Sequence, residues 1–391
     1  MKKYRVSIDL KNLAAIFFVL ISIAGCQDNS NSDIRADSPK IVGDFPLKEH
    51  WRKDFDSELK AMALGSGMLI TGIIDDDGAV IQAFDIATGS SLWKNVLPGN
   101  SIDIKIMVVD KSVYVIYAPK LFAMDLNTGD LIFETDIRAS SGDEIAAFTD
   151  NHIFVIQISE GVYAYDRYTG KLSWQILVGR GNVNVFPAVI ATRQLVYIIH
   201  GEYLKAVNER DGSLVWQRQI GFHGPAGYAG YRDGILYYST SNIHYSSNNK
   251  IQEEAGTQIL ALDLGTNSQL WENELGNQGE CMATENDGII TITTETIAMS
   301  DLKSGEKVWE YYIPLEVYCP PVIMEGVIYL KDFFTNQVIA MKQENGALLG
   351  RLDFEDSGWF GYKIPTDNLL SSIEPFPVLA FYSKNSVYVF K

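Results

Sequence analysis

The sequence predicts an all-β fold: an eight-bladed β-propeller of four-stranded antiparallel blades, closed by a strand from the N-terminal end. Three observations predict it. A turn phrase recurs seven times at a spacing near forty residues, the segments between the turns alternate as strands do, and the two ends of the chain carry complementary fragments. Seven blades is the alternative.

The phrase reads Asp, two residues, Thr-Gly, three residues, aromatic. It begins as Asp85, Gly89 and Trp93, then Asp125, Gly129 and Phe133, then Asp166, Gly170 and Trp174. It continues as Asn208, Gly212 and Trp216, Asp263, Asn267 and Trp271, and Asp301, Gly305 and Trp309; a decayed copy has Lys342, Gly346 and Gly350. Successive glycine positions lie 40, 41, 42, 55, 38 and 41 residues apart, one turn per repeat unit. A carboxylate here can accept from backbone N–H groups two and three residues on, and glycine takes the positive φ that such a turn needs. The aromatic opens the outer strand, where it can fill the wedge between blades.

Each unit offers four strands. Runs such as Val113–Tyr117, Val196–Ile199 and Val327–Leu330 are β-branched and aromatic, and no part of the chain beyond the leader holds a helical apolar period. Tight hairpins are expected after the first strand of each unit, at Gly67, Ser112, Asn151-His152, Arg193-Gln194, Asp233-Gly234, Asp287-Gly288, Glu325-Gly326 and Asn385-Ser386. The chain end therefore adds Pro377–Ser383 and Ser386–Phe390 as two strands without partners. At the other end Trp51–Phe55 matches Trp93–Leu97 as an orphan fourth strand, with Lys40–Val42 as its third. Joining the two ends completes an eighth blade and removes the exposed sheet edges. The long interval in the fifth unit predicts a polar loop over 240–250 between second and third strands. Residues 354–371, with Trp359, Phe360 and Tyr362, read as an irregular stretch that offers either an exposed contact site or blade-edge packing.

Residues 1–25 read as a targeting segment: a basic head (Lys2, Lys3, Arg5, Lys11), an apolar stretch Leu13–Ile23 and a small-residue site before Cys26. Residues 26–45 read as a polar tether and 46–391 as the propeller. Without the leader, 28 basic groups face 48 acidic ones, a net charge near −20. That balance argues against nucleic acid and against direct binding of anionic lipid heads. Cys281 and Cys319 each lie seven residues before the hairpin glycine of their units (Gly288, Gly326), so a bridge between them and two separate thiols are both open.

A search for chemistry finds no constellation. The five histidines (His50, His152, His200, His223, His244) lack the spacing that places two on one metal. Asp75–Gly78 lacks the distal Glu of a calcium loop and suits a hairpin turn, while the glycines of 221–227 lead to no helix. No Gly-x-Ser-x-Gly elbow occurs. No catalytic, cofactor or metal residue is expected.

The Ala-x-Asp-x-x-Thr-Gly-x-x-x-Trp phrase resembles the repeat of quinoprotein-type (PQQ-like) propellers over roughly residues 50–391. Ile23-Ala24-Gly25-Cys26 is similar to the bacterial lipoprotein box, in which the cysteine becomes the acylated first residue; in a proteobacterium Gln27 resembles the pattern sorted to the outer membrane. Two branches of the propeller family bear on function. One is the PQQ-dependent dehydrogenases of sugars and alcohols, which resemble one another in a vicinal Cys pair that is absent here. The other is the non-catalytic BamB-type lipoproteins of the outer-membrane barrel-assembly machinery. The length, the lipoprotein box and the eight-unit count resemble the second branch. This implies a monomeric, lipid-anchored scaffold at the periplasmic side of the outer membrane that binds proteins and assists barrel assembly. A quinone-dependent dehydrogenase, or a cell-surface lipoprotein that binds polysaccharide or protein, stands as the alternative. The lost Asp and Trp of the seventh turn, the insertion and the acidity depart from the pattern and bear on the partner more than on the fold.

Overall fold

The computed structural model describes residues 40–137, 144–157, 161–177, 188–200, 203–219, 225–245, 251–276, 279–285, 288–293, 296–312, 321–332, 337–354, 361–363, 378–382 and 385–391. The described residues begin with β1 (Lys40–Gly43) and β2 (Glu49–Asp54), which do not pair with each other. β3 (Leu59–Gly65), β4 (Met68–Asp75), β5 (Gly78–Asp85) and β6 (Ser91–Leu97) follow as one antiparallel sheet in chain order, the first blade. Six more such sheets follow, and the eighth is assembled from Gly361–Lys363, Leu379–Tyr382, Ser386–Phe390 and β2. The protein is an eight-bladed propeller. The inner strands of the first seven blades meet in sequence, an apolar cluster joins the seventh blade to the eighth, and Gly361–Lys363 meets β3 to join the last blade to the first.

The first hairpins are tight because two left-handed residues form the turn. Ser66-Gly67, Asp233-Gly234 and Glu325-Gly326 all have positive φ at both positions, between 50° and 84°. That is the turn whose twist matches the flanking strands. Asp75 pairs with Gly78 across the next hairpin, and the Asp77 N–H bonds the Asp75 carboxylate at 3.0 Å, so this acidic run is a turn.

Closure occurs where the sequence places it, with Trp51 opposite Val389 and Asp54 opposite Ser386. The strand assignment within that blade is corrected. Residues 379–382 are its second strand and 386–390 its third, because Gly361–Lys363, inside the stretch read as irregular, supplies the first. The third position is thus occupied, and Lys40–Val42 does not take it. β1 instead runs antiparallel along the outer strand of the seventh blade, Lys40 opposite Asp353 and Gly43 opposite Gly350. The tether read through residue 45 therefore gives way to a strand at Lys40, and Phe45 and Leu47 are buried in the core.

This explains the decayed seventh phrase. Gly350 stands where other blades carry the aromatic, and a Cβ there would lie 2.5 Å from the Phe45 nitrogen and 2.7 Å from the Val42 carbonyl oxygen. Absence of a side chain lets the N-terminal segment approach. Phe45 then fills the wedge to the last blade, edge-on to Tyr329 and Phe390 with ring centroids 5.9 and 6.4 Å away.

The insertion of the fifth blade is a longer hairpin rather than a loop from 240. Its second strand runs Ile235–Tyr245 and its third Ile251–Asp263, with Tyr245 still opposite Ile251. The core is a set of apolar clusters, each lying between two adjacent blades, as when Ile81 and Trp93 of the first blade meet Val115 and Phe122 of the second. No single centre holds the fold.

Candidate functional site

The repeat residues form one latch used around the ring. Asp85 accepts from the Thr88 N–H at 2.8 Å and from its hydroxyl at 2.7 Å, and Asp125, Asp166, Asp263 and Asp301 accept from the matching N–H groups. Thr169 holds the Asp166 carboxyl below its usual range, first through its hydroxyl and then through its N–H. Backbone donors, Thr266 for Asp263 and Ser304 for Asp301, do the same there. The turn so fixed presents its glycine and the carbonyl of the residue after the Asp to the preceding blade. The Trp93 indole donates to the Leu126 carbonyl at 2.7 Å, Trp174 to Glu209 at 2.8 Å, Trp271 to Leu302 at 3.0 Å and Trp309 to Gln343 at 2.8 Å. Trp51 does this across the closure, to Ile86 at 2.7 Å. Gly129 lies under the Trp93 ring, Gly170 under Phe133 and Gly305 under Trp271. Phe133 has no N–H, and there the Tyr114 hydroxyl donates to the Arg167 carbonyl at 3.0 Å instead. Trp216 packs on Tyr197, with ring centroids 6.0 Å apart.

The residue after the turn Asp is apolar and buried in four blades, Ile86, Leu126, Leu264 and Leu302, and is the buried Gln343 in the seventh. In the third and fourth it is Arg167 and Glu209, equally buried. Arg167 pairs with Asp110 of the second blade and donates to the Thr149 carbonyl at 3.2 Å. Burial pulls its pKa down, but the bonds to Asp110 and Tyr114 outweigh that and leave it raised. Glu209 accepts from the Thr149 hydroxyl at 2.5 Å, contacts His152 Nδ1 at 2.7 Å and accepts from Asn151 at 3.4 Å. Asp110, Arg167, Thr149, Glu209 and His152 thus form a polar chain across three blades. Its bonds run from blade to blade, so it joins the second, third and fourth blades. The repeat held the signal, since a charge replaces an aliphatic residue in that column, but reading each unit alone misses it.

The outer strands carry the exposed feature. The residue before each aromatic is an outward aliphatic in five blades: Leu92, Ile132, Val215, Leu270 and Val308 are each about half exposed (45–54%). Leu131, Leu172 and Leu214 add to this rim. Outer edges bear unpaired N–H and C=O groups, and β1 demonstrates that one of them accepts an added antiparallel strand. The rim can therefore receive an extended segment through main-chain bonds, with aliphatic contacts beside them.

Other candidates are placed as follows. His152 lies in the polar chain, and exposed His50 contacts the Ala87 carbonyl at 2.7 Å. Cys26, Cys319 and Trp359 lie outside the described residues, as does the side chain of Cys281, whose backbone pairs with Ile292. Among the described residues no group of three His, Cys, Asp or Glu could hold a metal ion.

Turns, latches and closure together define a quinoprotein-type repeat propeller. The profile of the family described as outer membrane protein assembly factor BamB matches residues 76–227 and 255–355, more than half of the chain. The chain belongs to that family. It is 25% identical over 248 residues to outer membrane protein assembly factor BamB of Yersinia pestis, covering 58% of this chain and 60% of that one. It is also similar to a tetrathionate hydrolase of Acidithiobacillus ferrooxidans, 21% identical over 319 residues that cover 68% and 62% of the two chains. The chain thus spans about three-fifths of these curated relatives. The crystal structure of BamB from Moraxella catarrhalis superposes with a TM-score of 0.65 over 88% of this chain and 99% of that one, at 18% identity. The computationally designed Ika8 protein gives 0.63 over 86% and 97%, at 12% identity. These likenesses bear on fold.

Proposed function

We propose that the chain is a non-catalytic, lipid-anchored scaffold that docks protein partners and assists assembly of outer-membrane proteins from the periplasmic side. One observation carries the reading: a closed ring whose ionic chain is engaged in blade-to-blade bonds, while among the described residues the outer strands other than that of the seventh blade are sheet edges flanked by aliphatic side chains. Membership of the BamB family supports the partner class. The leader 1–25, acylation at Cys26 and a tether to the first strand would hold such a body at a membrane, since several acyl chains exceed the two-signal threshold for stable anchoring. The test is radiolabelled palmitate incorporation with detergent co-purification. Label on the wild type, none on Cys26→Ala, and outer-membrane assembly subunits in the wild-type eluate are expected. An unlabelled wild type, or an eluate without those subunits, rejects the reading.

A second reading, hydrolysis of tetrathionate, is favoured only by the likeness to the Acidithiobacillus enzyme. Turnover of tetrathionate by the purified protein would replace the scaffold reading. So would dye reduction after addition of PQQ and calcium.

A further inference from the structure

The interface between the fifth and sixth blades departs from the repeat. The residue just before the turn Asp is large in the other blades: Phe84, Met124, Tyr165, Val207, Leu262 and Met341. In the sixth it is Ser300. Two residues earlier, where the second, third, fifth and seventh blades have Phe122, Tyr163, Leu260 and Ile339 and the first and fourth have Gln82 and Lys205, it carries Ala298. Opposite Ala298 lies Thr291, where the second, third and seventh blades have Val115, Val155 and Leu330 and the first has Thr71 opposite Gln82. Three apolar side chains are thus truncated or replaced by hydroxyls at one register. The apolar cluster between these blades is accordingly small, built around Tyr237, Ile259, Ala261, Ile289 and Leu302.

What remains is a slot of about 200 Å³ running between the blades, from Thr293 at a strand end to Gly305 in the turn at the opposite end. Thr291, Thr293 and Ser300 line it and are 3–6% exposed. Neither the Thr291 nor the Ser300 hydroxyl has a hydrogen-bond partner among the described residues. At the mouth stand Glu274, Glu306, Glu310 and Lys307, and Lys307 is already paired to Glu310 at 2.8 Å. Among the described residues Glu274 and Glu306 have no cationic partner. Hydroxyl and carboxylate oxygens both accept from N–H, and the volume suits one side chain or a small molecule rather than a drug-sized ligand.

We propose that this slot binds an organic ammonium or guanidinium group, its stem in the slot and its charge toward Glu274 and Glu306. An anion is repelled at the mouth, and a neutral polyol leaves both carboxylates unpaired. The group can come from a free amine or from a Lys or Arg side chain of a partner, and the chemistry is the same.

Calorimetric titration of the full chain with agmatine, with an acetylated Gly-Arg-Gly amide and with inositol tests this. Saturable binding of agmatine is expected, weakened by salt and reduced at least about ten-fold by Ser300→Met, which installs the side chain that the second and seventh blades carry there. Ser300→Met is also expected to raise the melting temperature. Should that variant not fold, the surface pair Glu274→Gln with Glu306→Gln decides by the same loss. A peptide about ten-fold tighter than agmatine assigns the slot to a partner side chain, and comparable or weaker peptide binding assigns it to a free amine. Binding unchanged by the substitutions, inositol binding as well as agmatine, or no saturable binding of any probe overturns the proposal.

Discussion

The indole nitrogen of Trp93 sits 2.7 Å from the carbonyl oxygen of Leu126, and its ring covers Gly129 in the same turn. One side chain thereby joins two blades by a directed bond and by packing. Because the contact recurs around the ring, blade order is enforced locally, interface by interface, rather than by a common centre. Removal of the ring by Trp93→Ala is expected to cost about 3–5 kcal/mol. Trp93→Phe keeps the packing and loses the bond, about 1–2 kcal/mol. Urea unfolding of the two variants checks the ratio.

Gly129 is required twice over. Its φ is +75°, and a Cβ would lie 2.6 Å from the Trp93 ring. Gly129→Ala is expected to destabilise by at least about 2 kcal/mol, the left-handed penalty of about 1–2 kcal/mol plus displacement of the indole. Near-ultraviolet circular dichroism should register the tryptophan shift.

Glu209 is 1% exposed and holds three donors of the neighbouring blade, Thr149, His152 and Asn151. Glu209→Ala strands the Thr149 hydroxyl and His152 in the interior, and a loss of about 3–5 kcal/mol is expected. Glu209→Gln, which keeps an acceptor, should lose clearly less. Thermal melts of the pair separate a hydrogen-bonding role from simple volume.

Acid should loosen the turns. The pKa values of Asp166, Asp263 and Asp301 are lowered in the folded state by the donors they hold. Their contribution is therefore present above the unfolded carboxylate value of about 3.9 and is lost as pH falls through the lower folded values. Asn208 fills the same turn position without a charge and accepts from the Arg210 N–H at 3.0 Å. Asp166→Asn should accordingly keep the turn while flattening the fall in stability below about pH 4, measured by denaturant midpoints across pH.

Phe45 replaces, from outside the repeat, the aromatic that the seventh blade lacks. Phe45→Ala is expected to cost about 3–5 kcal/mol and to expose the outer strand Leu348–Asp353. Amide exchange should quicken there and little elsewhere.

Much of this was legible because a period of about forty residues with one fixed turn dictates the blade. Trp51 could be assigned to the closing strand since its neighbours copy Trp93–Leu97. Lys40–Val42 was misplaced for a physical reason: strand propensity says that a segment is extended but not which free edge it meets. That choice depended on Gly350, whose missing side chain marks an absent contact only once Phe45 is seen against it. The three residues of the last blade's inner strand were too few to show alternation. Arg167 and Glu209 were hidden because a charge beside a turn reads as solvated until its neighbours are placed. The slot arises from residues too small, Ala298 and Ser300, and such a deficit is visible only by comparing units.

The most direct measurement of the central claim is photocrosslinking in the cell from rim positions Leu92, Ile132, Leu214 and Val308, with inward-facing Ile81 as the control. A docking scaffold predicts adducts with outer-membrane assembly proteins from the rim and none from Ile81. Rim positions that yield no adducts, or only those also formed by Ile81, would contradict it.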